Sequence, residues 1–394
     1  MRNIKNYIYT IFFVVVTNSM FAQIKLSESS SLSILTIGPG SSLNDSFGHS
    51  AIRVCDSNQK IDIVFDYGRY DFNADGFYIN FIKGKLNYEI GWSYYNSLIA
   101  YYKTQNRSIY EQKLNLPLKE KQKFLDKLLQ RIEPANKRYS YDFFYNNCAT
   151  KIKDDLINIT KNNITFSIKK DSTLRTFRQL IRSHVPQNSW GGIGIDLALG
   201  SVVDKKATVE EHTFLPNYLR NILDESILMS SSLKLISKTN TINEIKNKNK
   251  TNLLFSPLFI MSFLSILVLI ITYFDMKYSR RTKSLDFFIF LLTGLLGILI
   301  FFLWFATDHS TTAFNYNFLW AFAFNILFIP IVLKSEIKKK FINYLKLLVL
   351  MLILILIHWI TGIQSFNYCL IPLFFALILR YLFLIDLIRK INKY

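Results

Sequence analysis

Three cysteines and five histidines are all that this chain of 394 residues holds. So few cysteines exclude a disulfide-stapled scaffold. Nowhere do Cys and His cluster at the spacings that bind zinc, no glycine-rich loop of the phosphate-cradling kind is present, and no internal repeat is visible. Acidic residues are also short, with 28 against 47 basic ones, giving a net charge of +19. That surplus suits nucleic acid or a membrane surface, and the placement of the charges decides between them. Apolar residues, by contrast, make up 50% of the chain and aromatics 15%. This excludes disorder, and the length suffices for two ordinary domains. Beyond Asn252 the apolar residues form runs that only a bilayer explains.

The N-terminus reads as a secretory signal, residues 1–22. Arg2 and Lys5 precede an apolar stretch, Ile8–Val16, that is short for a span, and a cut is expected after Ala22. Met20 is a poor residue three before that cut, so an uncleaved anchor is the alternative; in both readings the next domain is exported. Residues 23–235 have the mixed composition of a globular domain. Leu32–Ile37, Ala51–Val54, Ile61–Tyr67 and Leu86–Trp92 alternate as strands do. In Lys119–Ile132 the residues Phe124, Leu125, Leu128, Leu129 and Ile132 share one helical face, and a further helix is expected from Cys148 through Leu156. Residues 236–252, rich in Lys, Asn and Thr, read as a solvated tether.

Five spans are expected within residues 253–394, at 253–274, 285–306, 318–333, 344–363 and 367–388, the third of them short. Lys277, Arg280, Arg281 and Lys283 come after the first, Lys334 and Lys338–Lys340 after the third, and Arg389, Lys390 and Lys393 after the last. The alternate loops, Thr307–Asn317 and Thr361–Asn367, hold no Lys or Arg. With an exported N-terminal domain, the positive-inside rule puts every basic loop and the C-terminus in the cytoplasm. Much of the positive charge is therefore topological, and a nucleic-acid partner is not expected.

His49 lies at the start of a predicted strand, after the turn-forming Gly38–Ser42 segment. His184 and His212 read as surface or structural. His358 falls inside the fourth span, where an ionisable group invites a functional reading, although a neutral histidine bonded within the bundle also fits. Cys369 behaves as a small apolar residue. Cys148 comes directly after Asn146-Asn147 at a helix start, where amides and dipole favour thiolate, and a histidine within reach would complete a nucleophilic pair. A Cys55–Cys148 disulfide and a buried strand-end role for His49 are the structural alternatives.

Gly48-His49-Ser50, with Asn147-Cys148 further on at a helix start, resembles the circularly permuted papain-like enzymes, which include lecithin–retinol acyltransferase-like proteins and are related to NlpC-type cell-wall peptidases. More closely, the chain resembles the Bacteroides-type lipoprotein N-acyltransferase family, with its Lnb-type N-terminal periplasmic domain and multi-span C-terminal half. The supporting segments are Phe65–Gly68, Phe81–Tyr88, Asn147–Thr150, Trp190–Gly200, Phe214–Pro216, Thr307–His309 and Asn315–Trp320.

The resemblance implies an α+β exported domain of papain-like type joined to an all-α bundle of about five transmembrane helices in the bacterial inner membrane. It implies acyl transfer with Cys148 as nucleophile and His49 as its base. Asp66 on the next strand is the choice to orient the imidazole, with a surface carboxylate as the alternative. Asn147, Asp308 and His309 are possible substrate-site residues; loop structure or capping of the second span is the bland alternative for the last two. The donor would be a phospholipid, the acceptor the α-amine of a diacylglyceryl-cysteine lipoprotein, and the cycle needs no cofactor, ATP or metal. Rival readings are another lipid acyltransferase or phospholipase, a membrane-anchored cell-wall peptidase, and a non-enzymatic sensing or binding protein.

Overall fold

The computed structural model describes residues 24–70, 76–85, 87–169, 173–245, 253–335 and 337–391. The expected signal, residues 1–22, lies outside them. The N-terminal part is built on strands β1 (Ser31–Ile37), β2 (His49–Asp56), β3 (Ile61–Arg69), β4 (Asn87–Tyr94), β5 (Ile109–Leu114), β6 (Arg138–Ser140), β7 (Ile164–Thr165), β8 (Ile227–Leu228), β9 (Leu233–Lys234) and β10 (Ile236–Asn243). Helices α1 (Phe77–Ile82), α2 (Tyr95–Thr104), α3 (Leu118–Ile132), α4 (Cys148–Ile159), α5 (Phe177–Arg182), α6 (Trp190–Ala198) and α7 (Pro216–Glu225) connect and cover them. Seven strands form one antiparallel sheet in the order β10-β5-β1-β2-β3-β4-β6, and β7-β8-β9 form a small second one.

Alternation along β1 explains why the main sheet is buried on both faces. Leu32 and Ile34 join Ile52, Val54 and Phe65 in a core with Phe124, Leu125 and Leu128 of α3 and Ile152 and Leu156 of α4. Leu35 and Ile37 face the other way, packing with Ala51 and Val64 against Leu98 and Ile99 of α2. The expected strands and the α3 stripe are thus present. Helix α4 is locked by Asp155, fully buried, which accepts from the Tyr67 hydroxyl at 2.8 Å and pairs with Lys127 and Arg131 of α3.

The tether expected at 236–252 is corrected over its first half. Ile236–Asn243 forms the edge strand β10, paired with β5, because its Ile and Thr residues suit a strand better than its polarity suggests. The Ile245 amide is also held, donating to the Ser108 hydroxyl at 2.9 Å.

Four helices among the described residues are long and apolar enough to cross a membrane, not five. They are α8 (Pro257–Lys277), α9 (Lys283–Phe305), α11 (Phe341–Ile360) and α12 (Ile371–Ile391), the shortest having 20 residues, about 30 Å of helix. The third expected span gives only α10 (Asn325–Leu333), nine residues with Pro330 inside it. Before it runs a 3-10 turn at Tyr316–Leu319 and irregular chain. Asn317, Trp320, Ala321 and Asn325 there are buried in protein, where irregular backbone at membrane depth is tolerated. One end of this stretch meets the N-terminal domain, as Asn317 donates to the Asp196 carbonyl; at the other, Arg281 donates to the carbonyls of Val332 and Lys334.

The domain does not swing from the bundle but sits directly on it. Arg182 of α5 donates to the Ser365 hydroxyl at 2.7 Å and to the carbonyls of Ser365 and Phe366. Asn367 donates to the Asp196 carboxylate at 3.0 Å, and Asn315 to the carbonyls of Leu197 and Ala198. The Gly200 amide donates to the Thr311 carbonyl, and a Cβ on Gly200 would lie 1.8 Å from the Ala313 oxygen. Only glycine allows that approach.

At the far end of the bundle, fully buried Arg380 of α12 binds Asp275 of α8 at 2.8 Å and Asp286 of α9 at 2.7 Å. Arg380→Leu leaves two buried carboxylates short of their main partner and is expected to cost about 3–5 kcal/mol. Chemical unfolding in micelles measures this, and Arg380→Lys should recover part of the loss.

Candidate active site

Gly48 has φ +79°, a region open to glycine, and a Cβ there would meet the Ile37 carbonyl oxygen at 2.6 Å. The turn it makes delivers His49 to the first position of β2, opposite Ile37 of β1. On the next strand Asp66 pairs with Ala51, which makes it the diagonal neighbour of His49 on one face of the sheet. His49 Nε2 and Asp66 Oδ2 are 3.4 Å apart. Asp66 is held from its other side by Arg69, whose Nε donates to it at 2.9 Å.

Cys148 arrives from the opposite direction, as the first residue of α4. Asn147 is the N-cap: its Oδ1 accepts from the amides of Ala149 and Thr150, both at 2.9 Å, while the Thr150 hydroxyl accepts from the Asn147 amide. Its Nδ2 donates to the carbonyls of Phe143 and Phe214. With both ends of its amide engaged and the side chain buried, Asn147 positions Cys148. The bond to Phe214 makes the Phe214-Leu215-Pro216 segment part of the support.

The three groups meet electrostatically. Burial raises the Cys148 thiol, but the His49 charge, a hydrogen bond to His49 and the amides of Ser50 and Ala149 outweigh it and leave the thiol below its usual range. Burial disfavours the His49 imidazolium, yet Tyr102, Cys148 and Asp66 together hold it well above the usual imidazole range. For Asp66, burial is outweighed by hydrogen bonds from His49 and Arg69, and the carboxyl stays below its ordinary value. These shifts favour a thiolate beside an imidazolium with a carboxylate behind it, an arrangement suited to nucleophilic attack and proton return.

Residues that the sequence did not assign to the site also belong to it. Arg69 fixes Asp66, and the Tyr102 ring lies 6.5 Å from that of His49. The antiparallel bridge between Asp142 and Asn146 folds Tyr141 back across from Asn147, next to the cysteine, and burial and then the Cys148 charge push its hydroxyl well above its usual range. The aromatic, extended-looking run ahead of Asn146-Asn147-Cys148 was the available signal.

Asp308 and His309 are not bonded to Cys148. The Asp308 amide donates to the Lys83 carbonyl at 2.8 Å, and His309 Nε2 lies 3.1 Å from the Phe81 carbonyl. Both line a cavity of about 370 Å³ whose opposite wall includes Tyr141 and Asp142. All three cysteines are free. Cys55 lies six residues along β2 from His49, about 20 Å away at strand rise, beyond disulfide reach of Cys148. Of the other histidines, His212 is buried between the Thr208 carbonyl and the Arg175 amide, and His184 bonds the Leu180 carbonyl. His358 bonds the Leu354 carbonyl of its own helix and packs on Tyr316. Among the described residues no three His, Cys, Asp or Glu side chains group as a metal site.

Fold and site together define a membrane protein with a cysteine–histidine pair on the domain that caps its bundle. Two family descriptions match: Lnb N-terminal periplasmic domain over residues 17–183 and Lnb transmembrane domain over 248–391. The chain belongs to the Lnb-type family. No curated protein and no solved structure matches it.

Alkylation by iodoacetamide, tracked residue by residue with peptide mass spectrometry, tests the pair. Cys148 is expected to react faster at pH 7 than an ordinary thiol and to slow on acidification through its depressed pKa. His49→Ala should return it to an ordinary thiol, at least tenfold slower at pH 7 and accelerating as pH rises. A pH profile unchanged by that substitution rules the pair out.

Proposed function

We propose that this protein is an integral-membrane thiol acyltransferase that moves an acyl chain from a phospholipid to the α-amine of a diacylglyceryl-cysteine lipoprotein. Membership of the Lnb-type family suggests an enzyme of this kind. The observation that carries the reading is the Cys148–His49–Asp66 arrangement, held at a helix start in a domain seated on a transmembrane bundle. The order of histidine strand before cysteine helix supports a permuted papain-like ancestry. With the basic loops inside, the domain lies in the periplasm and the C-terminus in the cytoplasm.

In the first half-reaction the Cys148 thiolate attacks the ester carbonyl of the donor. The amides of Ala149 and Thr150 are taken by the cap, so the Cys148 amide is the oxyanion donor that the helix start leaves. His49 gives its proton to the departing lysophospholipid alkoxide, and a thioester remains. In the second, the acceptor amine attacks the thioester, His49 takes the proton lost by nitrogen, and the thiolate is released as the amide forms. Asp66 keeps the imidazole oriented through both steps. The cavity walled by Asp308, His309 and Tyr141 would take a polar head or the acceptor amine.

Mass spectrometry of a reporter lipoprotein in cells lacking their own N-acyltransferase tests the assignment. A third acyl chain is expected with the wild-type protein and not with Cys148→Ser or His49→Ala at equal expression. No third chain from the wild type, together with released lysophospholipid, would move the reading to a phospholipase or another acceptor. Full activity in Cys148→Ala would overturn thiol chemistry altogether.

A further inference from the structure

Helix α1 exposes its side chains in a way a water-facing helix does not. Within six residues Ile79 is 59% exposed, Ile82 52% and Phe81 48%. Phe305, the last residue of the membrane-spanning helix α9, is 61% exposed, as a lipid-facing side chain is. The two places adjoin. Asp308, three residues beyond Phe305, donates its amide to the Lys83 carbonyl, and His309 bonds the Phe81 carbonyl. The C-terminal end of α1 is therefore fastened to the chain that has just left the bilayer, and its apolar side chains continue the lipid-facing surface of α9. Lys83 and Lys85, both exposed, flank it on the polar side, where phosphate headgroups lie. Apolar side chains beside lysines at the membrane edge are the signature of an interfacial helix.

From α1 a file of rings runs inward. Phe81 stacks on Phe77 at 6.2 Å between centroids, Phe77 on Tyr70 at 6.0 Å, Tyr70 meets Tyr88 at 4.9 Å, and Tyr88 stacks on Tyr141 at 4.4 Å. Tyr141 is the ring beside Cys148. This continuous apolar surface links the membrane edge to the thiol, and its far end borders the cavity of Asp308 and His309.

We propose that α1 dips into the leaflet on the domain's side and that the aromatic file leads the acyl chain of a phospholipid from there to Cys148. The second half of this rests on the reading of Cys148 as the acyl acceptor; the first half does not.

The test uses the full-length protein in phospholipid vesicles. With Cys55, Cys148 and Cys369 replaced by serine, a nitroxide is placed at Ile79→Cys, at Ile82→Cys, at Phe301→Cys on the exposed face of α9, and at Asn58→Cys in the β2–β3 turn. Both α1 labels are expected to collide more with oxygen than with a water-soluble nickel chelate, as the Phe301 site does. Nickel-dominated collisions at both, as at Asn58, overturn the membrane contact. In the protein with its native cysteines, Ile79→Asp with Ile82→Asp should lower thioester loading of Cys148 from vesicle phospholipid at least tenfold while leaving its alkylation by iodoacetamide unchanged. Unchanged loading overturns the path. If the wild type forms no thioester at all, the acyl-transfer reading and the path fall together, and the labels alone decide whether α1 enters the membrane.

Discussion

The Asp196 carboxylate is the point on which the two halves of the molecule are joined. It is buried, and it accepts from Arg178 and Arg182 of the domain and from Asn367 of the bundle. A charge out of water is tolerable only when paired and hydrogen-bonded, so each partner is needed by the others. Around it, Arg178 also caps the carbonyls of Leu199 and Gly200, and Asn315 and Asn317 bind the neighbouring backbone of α6. The relative position of domain and bundle is thereby set by a buried polar network rather than by a linker. A linker of about 15 residues would let a domain wander by roughly 20 Å. Here the Ile245 amide is tied to Ser108, and the Phe255 carbonyl accepts from Trp190, so both ends of the connecting chain are fastened to the domain.

For the proposed reaction, fixed placement matters because a diacyl phospholipid does not leave the bilayer readily. A thiol that reacts with it must sit at a set height above the hydrocarbon. Asn147 sets Cys148 at the start of α4, Asp155 sets α4 relative to α3 and β3, and Asp196 sets the whole domain relative to the membrane helices. Each link uses a buried polar group whose loss leaves unmatched donors or charges. That makes the chain of positions stiff where a hydrophobic contact alone would allow sliding.

The strands of the sheet and the α3 stripe were legible because period-2 and period-3.6 patterns record which face is buried. The Cys148–His49 pairing was legible from residue type and helix-start chemistry once the resemblance supplied their order. Asp66 was a weaker reading, since a carboxylate on a strand says nothing by itself of what lies diagonally across the sheet. Arg69 and Tyr102 were not visible as site residues, because their roles exist only through cross-strand and helix–sheet contact. The loops Thr307–Asn317 and Thr361–Asn367 show how a correct pattern can have a second cause. Their lack of Lys and Arg suits the positive-inside rule, but Asn315, Asn317, Gln364 and Asn367 are also almost wholly buried in the docking surface, where a lysine would find no water. The third span was misjudged because apolar composition does not report helix length; Pro330 and the buried asparagines around it break the run into a short helix and irregular chain.

The charges buried in the bundle bear on the non-enzymatic alternative. Few ionisable groups stand out at membrane depth in the sequence, and Asp386, near the end of the last span, lies exposed with Lys390 one turn along. The structure adds Arg380, Asp275 and Asp286, which a transport path could use. Their geometry argues for fastening instead. Arg380 spans the end of α8 and the start of α9, Thr272 and the Thr282 carbonyl take two further donors, and Asp275 accepts from the Thr282 amide and hydroxyl. Groups that hand an ion onward need a free coordination site or a second arrangement of similar energy. Here a guanidinium and two carboxylates are bound mainly to one another and to fixed polar groups, all near the α8–α9 turn, where they hold the end of α8 and the start of α9 to the middle of α12.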